Sequence, residues 1–168
     1  LVPACIYEGD TIASLRMPTL YCFKPLNFKN KKQQQQYNRL VRNVKKTLPI
    51  AKEVNRAIIE TYEFLQTLPD EKARQKHLNA VEKSVKEQYT PRMKKLTFAQ
   101  GKLLIKLINR ETDSSSFELV KAFLGPFKAG FYQAFAAIFG ASLKKEYHPE
   151  GEDAMVEQIV LLVESGQI

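Results

Sequence analysis

Apolar residues return every three or four positions along most of the chain, which is the spacing that places them on one face of a helix. The longest such pattern runs from Asn30 to about Leu68 and contains Pro49. The proline allows either one long helix kinked at Pro49 or two helices that meet there. The apolar face is the same before and after the proline, which favours one kinked helix. The residues of that face are Tyr37, Leu40, Val41, Val44, Leu48, Ala51, Ile58, Ile59, Tyr62 and Leu65.

Further helices are predicted beyond the break at Leu68-Pro69-Asp70. The next helix ends near Tyr89, because Thr90-Pro91 interrupts the pattern. Thr97 and Gln100 have the spacing of a capping box, which predicts a helix from there to about Glu111. The remaining predicted helices run from a capping box at Ser115 and Glu118 to Leu124, from about Leu143 to Tyr147, and onward from Asp153.

A phenylalanine occurs at every fourth position from Phe123 to Phe139. A helix turns about 100° per residue, so these five rings sweep across roughly half of its surface. A helix that is apolar over so much of its surface is usually a central core helix. The sequence therefore predicts a mainly α, single-domain, multi-helix bundle around a buried phenylalanine-rich helix. Solvent exposure of these rings would instead indicate a surface that docks a partner or a membrane.

The N-terminal region has two short β-prone segments, residues 6–12 and 17–23. They predict a short β-hairpin or an extended arm over residues 1–29, packed on a helical domain of residues 30–168. A hairpin centred near Ala13-Ser14 would place Cys5 opposite Cys22, and a disulfide would then be possible in an oxidising compartment. Two unpaired thiols are the favoured state.

The net charge of +8 is unevenly distributed. Residues 1–70 carry 11 basic and 6 acidic groups, residues 71–110 carry 11 and 3, and residues 111–168 carry 4 and 9. A basic front and an acidic back could bind an anionic partner, or could bind each other inside the fold or in a dimer. A solvated, partly self-neutralised surface is the favoured interpretation. No run of 18 apolar residues exists, so no transmembrane helix is predicted.

The segment from Thr97 to Glu111 contains the most informative polar residues. Its leucines and Ile108 form one broad apolar arc, and Gln100 and Glu111 fall inside that arc. A carboxylate on an inward face at a helix C-terminus needs a partner, since the helix dipole disfavours it. We expect Glu111 to accept a hydrogen bond from an arginine or lysine, or from amides of the serine loop. This interpretation makes Glu111 a structural strut, and the alternative is an acid that faces a ligand.

Motifs for metal, nucleophilic or nucleic-acid chemistry are absent from the sequence. His77 and His148 are 71 residues apart without a neighbouring cysteine or histidine, so no metal and no cofactor is predicted. No Gly-x-Ser-x-Gly motif occurs. No nucleic-acid-binding module is recognisable. Phosphate contact by the following basic residues is physically possible but not favoured: Arg39, Arg42, Lys46, Lys94 and Lys95.

The chain resembles a family of Bacteroidetes proteins described only as a domain of unknown function. The resemblance is strongest in residues 100–108 and in Arg110-Glu111-Thr112. Other matching pieces are Gly9-Asp10-Thr11-Ile12, Phe28-Lys29-Asn30, Tyr37, Arg39-Leu40, Arg42-Asn43-Val44-Lys45-Lys46, Glu118-Leu119-Val120, Phe139-Gly140 and Pro149-Glu150-Gly151-Glu152-Asp153. The resemblance implies an exported protein with a signal peptide, which suits a chain that begins at Leu1 without a methionine.

This chain departs from the family pattern at three positions. The family usually has aspartate where this chain has Asn109 and His148, and proline where it has Ala13. These departures weaken any claim that an acid at 109 or 148 is essential. The resemblance implies no established activity, so it assigns no catalytic residue.

Two functions follow as hypotheses. The leading hypothesis is a non-catalytic helical binding or structural protein of the cell envelope, exported or periplasmic, whose partner is an envelope protein or glycan. The alternative is a hydrolase-like enzyme with a site assembled from residues distant in sequence, with Glu111, Arg110, Lys102 and Arg42 as candidates. The candidate binding residues are Arg42, Lys46, Lys102, Arg110 and Glu111.

Overall fold

The computed structural model describes residues 3–15, 17, 19–114 and 147–168. Their fold is mainly α, with a short N-terminal hairpin, as the sequence predicts. No helix of these residues is long and apolar enough to cross a membrane. The strands and helices, in chain order, are β1 (Ala4–Tyr7), β2 (Asp10–Ala13), α1 (Lys31–Thr67), α2 (Glu71–Met93), α3 (Phe98–Ser114) and α4 (Ala154–Glu164).

Helix α1 is continuous through Pro49, which confirms one helix rather than two. The Asn30 side chain accepts a hydrogen bond of 2.9 Å from the Gln33 amide and caps the first turn. Pro49 itself is solvent-exposed, so the carbonyl that the proline leaves without a backbone donor can be hydrated. The buried residues of α1 are Val44, Thr47, Leu48, Ile50, Ala51, Val54, Ile58 and Leu65.

Helix α2 begins after an N-cap at Asp70, whose side chain accepts a 2.7 Å hydrogen bond from Ala73. The predicted end at Tyr89 is wrong, because the helix continues through Pro91 to Met93. Tyr89 and Met93 are both buried in the core. A proline so near the helix end removes one backbone hydrogen bond, and we attribute the longer helix to the burial of these two side chains.

Helix α3 packs on α1 to form most of the described core. Its capping box is confirmed: the Gln100 amide donates to Thr97 Oγ1 at 3.3 Å, and the Thr97 amide donates to Gln100 Oε1 at 3.1 Å. Leu104 and Leu107 are fully buried, as are Ile159 and Val160 of α4. The helix extends to Ser114, three residues beyond the predicted end.

The hairpin differs from the predicted one. The strands pair antiparallel with Cys5 opposite Ile12, so a centre near Ala13-Ser14 is wrong. The turn lies at Glu8-Gly9, where both residues have positive φ angles (51° and 89°), a conformation that suits Gly9 and matches a tight hairpin turn. Cys22 lies outside the hairpin, and both cysteines are free and exposed.

Three predicted features lie outside the described residues. They are the buried phenylalanine-rich helix from Phe123 to Phe139, the helix from Ser115 to Leu124 and the beginning of the short helix at Leu143.

Candidate functional site

Arg110 lies at the centre of an ion-pair cluster between α3 and α4. Its Nε and Nη2 atoms donate to the two carboxylate oxygens of Glu157 at 2.7 and 2.8 Å. Its Nη1 atom donates to Glu111 Oε1 at 2.8 Å, and Nη2 also reaches Glu164 Oε2 at 3.3 Å. The Tyr147 hydroxyl donates to Glu157 Oε2 at 2.6 Å. We call these five residues the Arg110 cluster.

A second group of ion pairs lies one helical turn before Arg110. Lys106 Nζ donates to Glu152 Oε1 at 2.8 Å and to Asp153 Oδ1 at 2.6 Å. Asp153 is 3% exposed, and its other oxygen accepts a 3.1 Å hydrogen bond from the His148 amide. Asp153 precedes α4, as the sequence predicts, but its side chain makes no capping hydrogen bond to that helix. It connects α3 to the loop before α4.

Lys52 extends these contacts to α1. Its Nζ atom lies 2.6 Å from Glu164 Oε1, while Arg110 contacts the other oxygen of the same carboxylate. Glu157 and Glu164 are seven residues apart, about two helical turns, so they lie on one face of α4. The acidic face of α4 is therefore held by basic side chains of both α1 and α3.

The pKa values of Arg110, Tyr147 and Glu157 are shifted so that each group has, at neutral pH, the protonation state that its hydrogen bonds require. Burial alone would raise the pKa of Glu157, but hydrogen bonds from Arg110 and Tyr147 outweigh it and lower that pKa below its usual value. Burial, together with the hydrogen bond to Glu157, raises the pKa of Tyr147. Burial opposes the charge on Arg110, yet the bonded Glu157 raises the pKa of the guanidinium. The carboxylate and guanidinium therefore stay charged at neutral pH, and the phenol stays protonated.

The pKa of Lys106 is also set by burial and by hydrogen bonds to carboxylates. Burial favours its neutral amine, but hydrogen bonds to Asp153 and Glu152 outweigh burial and raise its pKa. The Lys106 side chain is 15% exposed, and its ammonium group remains a fixed positive charge at neutral pH.

The prediction that Glu111 has a charged partner is confirmed. Glu111 accepts a hydrogen bond from Arg110, and its side chain is only 12% exposed. The sequence also nominated Arg110, but not the residues of α4 that hold it. A signal for those residues existed in the spacing of Asp153, Glu157 and Glu164, which recur at intervals close to whole helical turns. Their basic partners on α3 lie 47 or 54 residues earlier in the chain, which no local pattern indicates.

The other nominated residues lie in different surroundings. Lys46 Nζ donates to Gln100 Oε1 at 3.2 Å, while Gln100 Nε2 donates to Asn43 Oδ1 at 3.1 Å. Gln100 and Arg110 are ten residues apart on α3, a rise of about 15 Å. Lys102 Nζ lies 4.5 Å from the centre of the Phe98 ring. Across the described residues, the contacts of the nominated residues thus form separate groups.

Arg42 lies at a cavity of about 410 Å³ on α1, together with Gln35, Asn38 and Val41. It takes part in none of the contacts described above for Arg110 or Lys46. The two nominated arginines therefore belong to different parts of the described surface.

A cavity of about 340 Å³ lies where the N-terminal arm meets α1 and α4. We call it the arm cavity. The sequence patterns did not predict this cavity, although the apolar side chains of Leu26 and Phe28 were an available signal. The described lining residues are Leu26, Asn27, Phe28, Gln33, Gln36, Tyr37, Leu40 and Met155.

No group of histidine, cysteine, aspartate or glutamate side chains within the described ranges has an arrangement that could hold a metal ion. The carboxylates of α4 and of the loop before it instead contact the basic side chains of Lys52, Lys106 and Arg110.

Comparison with known proteins gives one match. A family model described as "Domain of unknown function (DUF4294)" matches residues 10–162. No curated protein and no solved structure matches the chain significantly. The matched range includes α1 to α3, most of α4 and the lining residues of the arm cavity. Of the Arg110 cluster, Glu164 alone lies beyond it.

Proposed function

The chain belongs to the DUF4294 family, whose description names no activity, and from that premise we propose that it is a non-catalytic binding protein of the cell envelope. The observation that supports this proposal most strongly is the state of the Arg110 cluster. Its members are paired with each other. The pKa of Glu157 is lowered and that of Tyr147 is raised, so both lie further from neutral pH than usual. A general acid or base works best with a pKa near the working pH. The cluster thus has the properties of a structural link.

The enzyme alternative required Glu111, Arg110, Lys102 and Arg42 to converge. Arg110 and Glu111 contact each other, whereas Lys102 contacts Phe98 and Arg42 lies at a cavity of α1. No observation in the described part of the chain favours a reaction at these residues. The arm cavity, which is open and mostly apolar, is better suited to binding.

Binding is tested by immobilising the full chain and passing envelope and cytosolic extracts over it. The proposal predicts saturable capture of an envelope component and little capture from the cytosol. The Glu157→Gln variant, used at a temperature where it is folded, should capture the same component, since the cluster only supports the fold. Absence of capture from the envelope extract would contradict a binding function.

Envelope location is supported by the resemblance to exported proteins described above, and two natural probes can test it. Cys5 and Cys22 are both free and exposed. A membrane-impermeant maleimide, added after gentle reduction to cells with a permeabilised outer membrane, should label both cysteines. A Cys5→Ser/Cys22→Ser variant is the control for specificity. Labelling that requires lysis of the inner membrane would place the protein in the cytoplasm and contradict the proposed location.

A further inference from the structure

The arm cavity is built by three segments of the chain. Gln33, Gln36, Tyr37 and Leu40 line it from α1 at positions i, i+3, i+4 and i+7, which share one helix face. Residues 26–28 of the arm line a second side, and Met155 at the start of α4 lines a third.

Aromatic packing and a backbone hydrogen bond fix the position of this lining. The Phe28 and Tyr37 rings lie 5.5 Å apart and are tilted by 46°. The Lys29 amide donates to Gln33 Oε1 at 2.8 Å, so the Gln33 side chain is oriented with its oxygen toward the backbone. Its amide nitrogen remains as a hydrogen-bond donor.

Several polar groups at the arm cavity have no partner in the described part of the chain. They are the side-chain amides of Asn27 and Gln36 and the Tyr37 hydroxyl. Each amide offers two donors and one acceptor oxygen, and the hydroxyl can donate and accept. These groups can exchange water for the hydroxyl groups of a ligand.

The lining also restricts the charge and shape of a ligand. None of the described lining residues is charged, which favours a neutral ligand because an ion would find no countercharge there. Leu26, Leu40, Met155 and the two aromatic rings provide apolar surface. The lining therefore suits a compact ligand that combines an apolar face with several hydroxyl groups, and a pyranose ring has both.

An acyl chain matches the arm cavity less well. It gains about 0.8 kcal/mol for each methylene group that leaves water, and a cavity that is open to solvent leaves part of the chain in contact with water. An acyl chain would also displace water from the amides and the hydroxyl without replacing the hydrogen bonds.

We propose that the arm cavity binds a neutral pyranose unit of a glycan. This inference rests on the proposed binding function and names the class of ligand. Gln36, Tyr37 and Asn27 hydrogen-bond the sugar hydroxyls, and the Phe28 and Tyr37 rings contact its apolar face.

The test measures binding of neutral oligosaccharides of glucose, galactose, mannose and N-acetylglucosamine by ligand-observed NMR and calorimetry, with laurate as the acyl probe. We expect at least one oligosaccharide to bind the full chain. Gln36→Ala and Tyr37→Phe should each raise its Kd about three- to tenfold, which corresponds to the loss of one hydrogen bond. Both changes leave the apolar core intact, so folding is retained.

Gln34→Ala is the matched control, because Gln34 is exposed on the same helix and does not line the arm cavity. It should leave the Kd unchanged. The proposal is wrong if no oligosaccharide binds, if Gln36→Ala and Tyr37→Phe leave the Kd unchanged, or if only laurate binds. Capture from the envelope extract with no saccharide binding would overturn the glycan inference alone. Failure of both experiments would overturn the binding function as well.

Discussion

Glu157 illustrates how one residue connects separate parts of the chain. It accepts two hydrogen bonds from Arg110 of α3 and one from Tyr147, which precedes α4. Its pKa in the folded protein is lowered below the usual value for a glutamate. A lowered pKa contributes stability at pH values above the unfolded-state pKa, and that contribution is lost as the pH falls through the folded-state value.

Glu157→Gln should therefore lower the free energy of unfolding by about 1.5–3 kcal/mol at pH 7, the usual range for a hydrogen bond to a charged group. The difference from the natural protein should shrink as the pH falls below about 4.5, because Glu157 takes up a proton in the unfolded chain at a higher pH than in the folded protein. Denaturant unfolding at several pH values measures both effects.

Glu150→Gln makes the same chemical change at an exposed position without an ion pair in the described structure. It should alter the free energy of unfolding by less than about 0.5 kcal/mol. Equal effects of the two variants at pH 7 would show that the Arg110 cluster adds no stability.

Helix α3 is the element that joins the others, because each of its ends is bound to a different helix. At its N-terminus Gln100 completes the capping box and contacts Asn43 of α1. At its C-terminus Arg110 binds the carboxylates of α4. Apolar packing of Leu104 and Leu107 lies between these polar contacts.

Gln100→Ala should lower the free energy of unfolding by about 1–2 kcal/mol, since it removes a cap contact and a contact between helices. Gln88→Ala is the control, because Gln88 is an exposed helical glutamine without such contacts in the described structure. Thermal and denaturant unfolding of both variants gives the comparison. A Gln100→Ala protein as stable as the Gln88→Ala protein would show that the contacts of Gln100 do not stabilise the fold.

The sequence predicted features that depend on neighbouring residues, but not those that depend on residues far apart in the chain. The continuous α1, the capping box at Thr97 and the charged partner of Glu111 depend on neighbouring residues, and all three were predicted. The predicted end of α2 at Tyr89 was wrong because burial of Met93 outweighed the local effect of Pro91. The arm cavity was missed because its lining comes from three separate segments.

At the scale of the whole molecule, the uneven charge of the sequence is partly neutralised inside the fold. Glu152, Asp153, Glu157 and Glu164 of the acidic last third pair with basic residues of α1 and α3. These pairs correspond to the alternative in which the basic and acidic parts of the chain bind each other inside the fold. These contacts fix α4 against α3, and α4 in turn supplies Met155 to the arm cavity. The residues that stabilise the position of α4 and the residues that are proposed to bind a ligand are thus different, but α4 connects them.

The central claim, that the Arg110 cluster is a structural link, is tested most directly by a double-mutant cycle. The free energy of unfolding is measured at pH 7 for the natural protein, Arg110→Met, Glu157→Met and the double variant. The account predicts a coupling energy of about 1–3 kcal/mol, with the double variant less destabilised than the sum of the single variants, because removing both partners leaves no unpaired buried charge between them. A coupling energy near zero would show that the pair does not stabilise the fold, and would contradict the account.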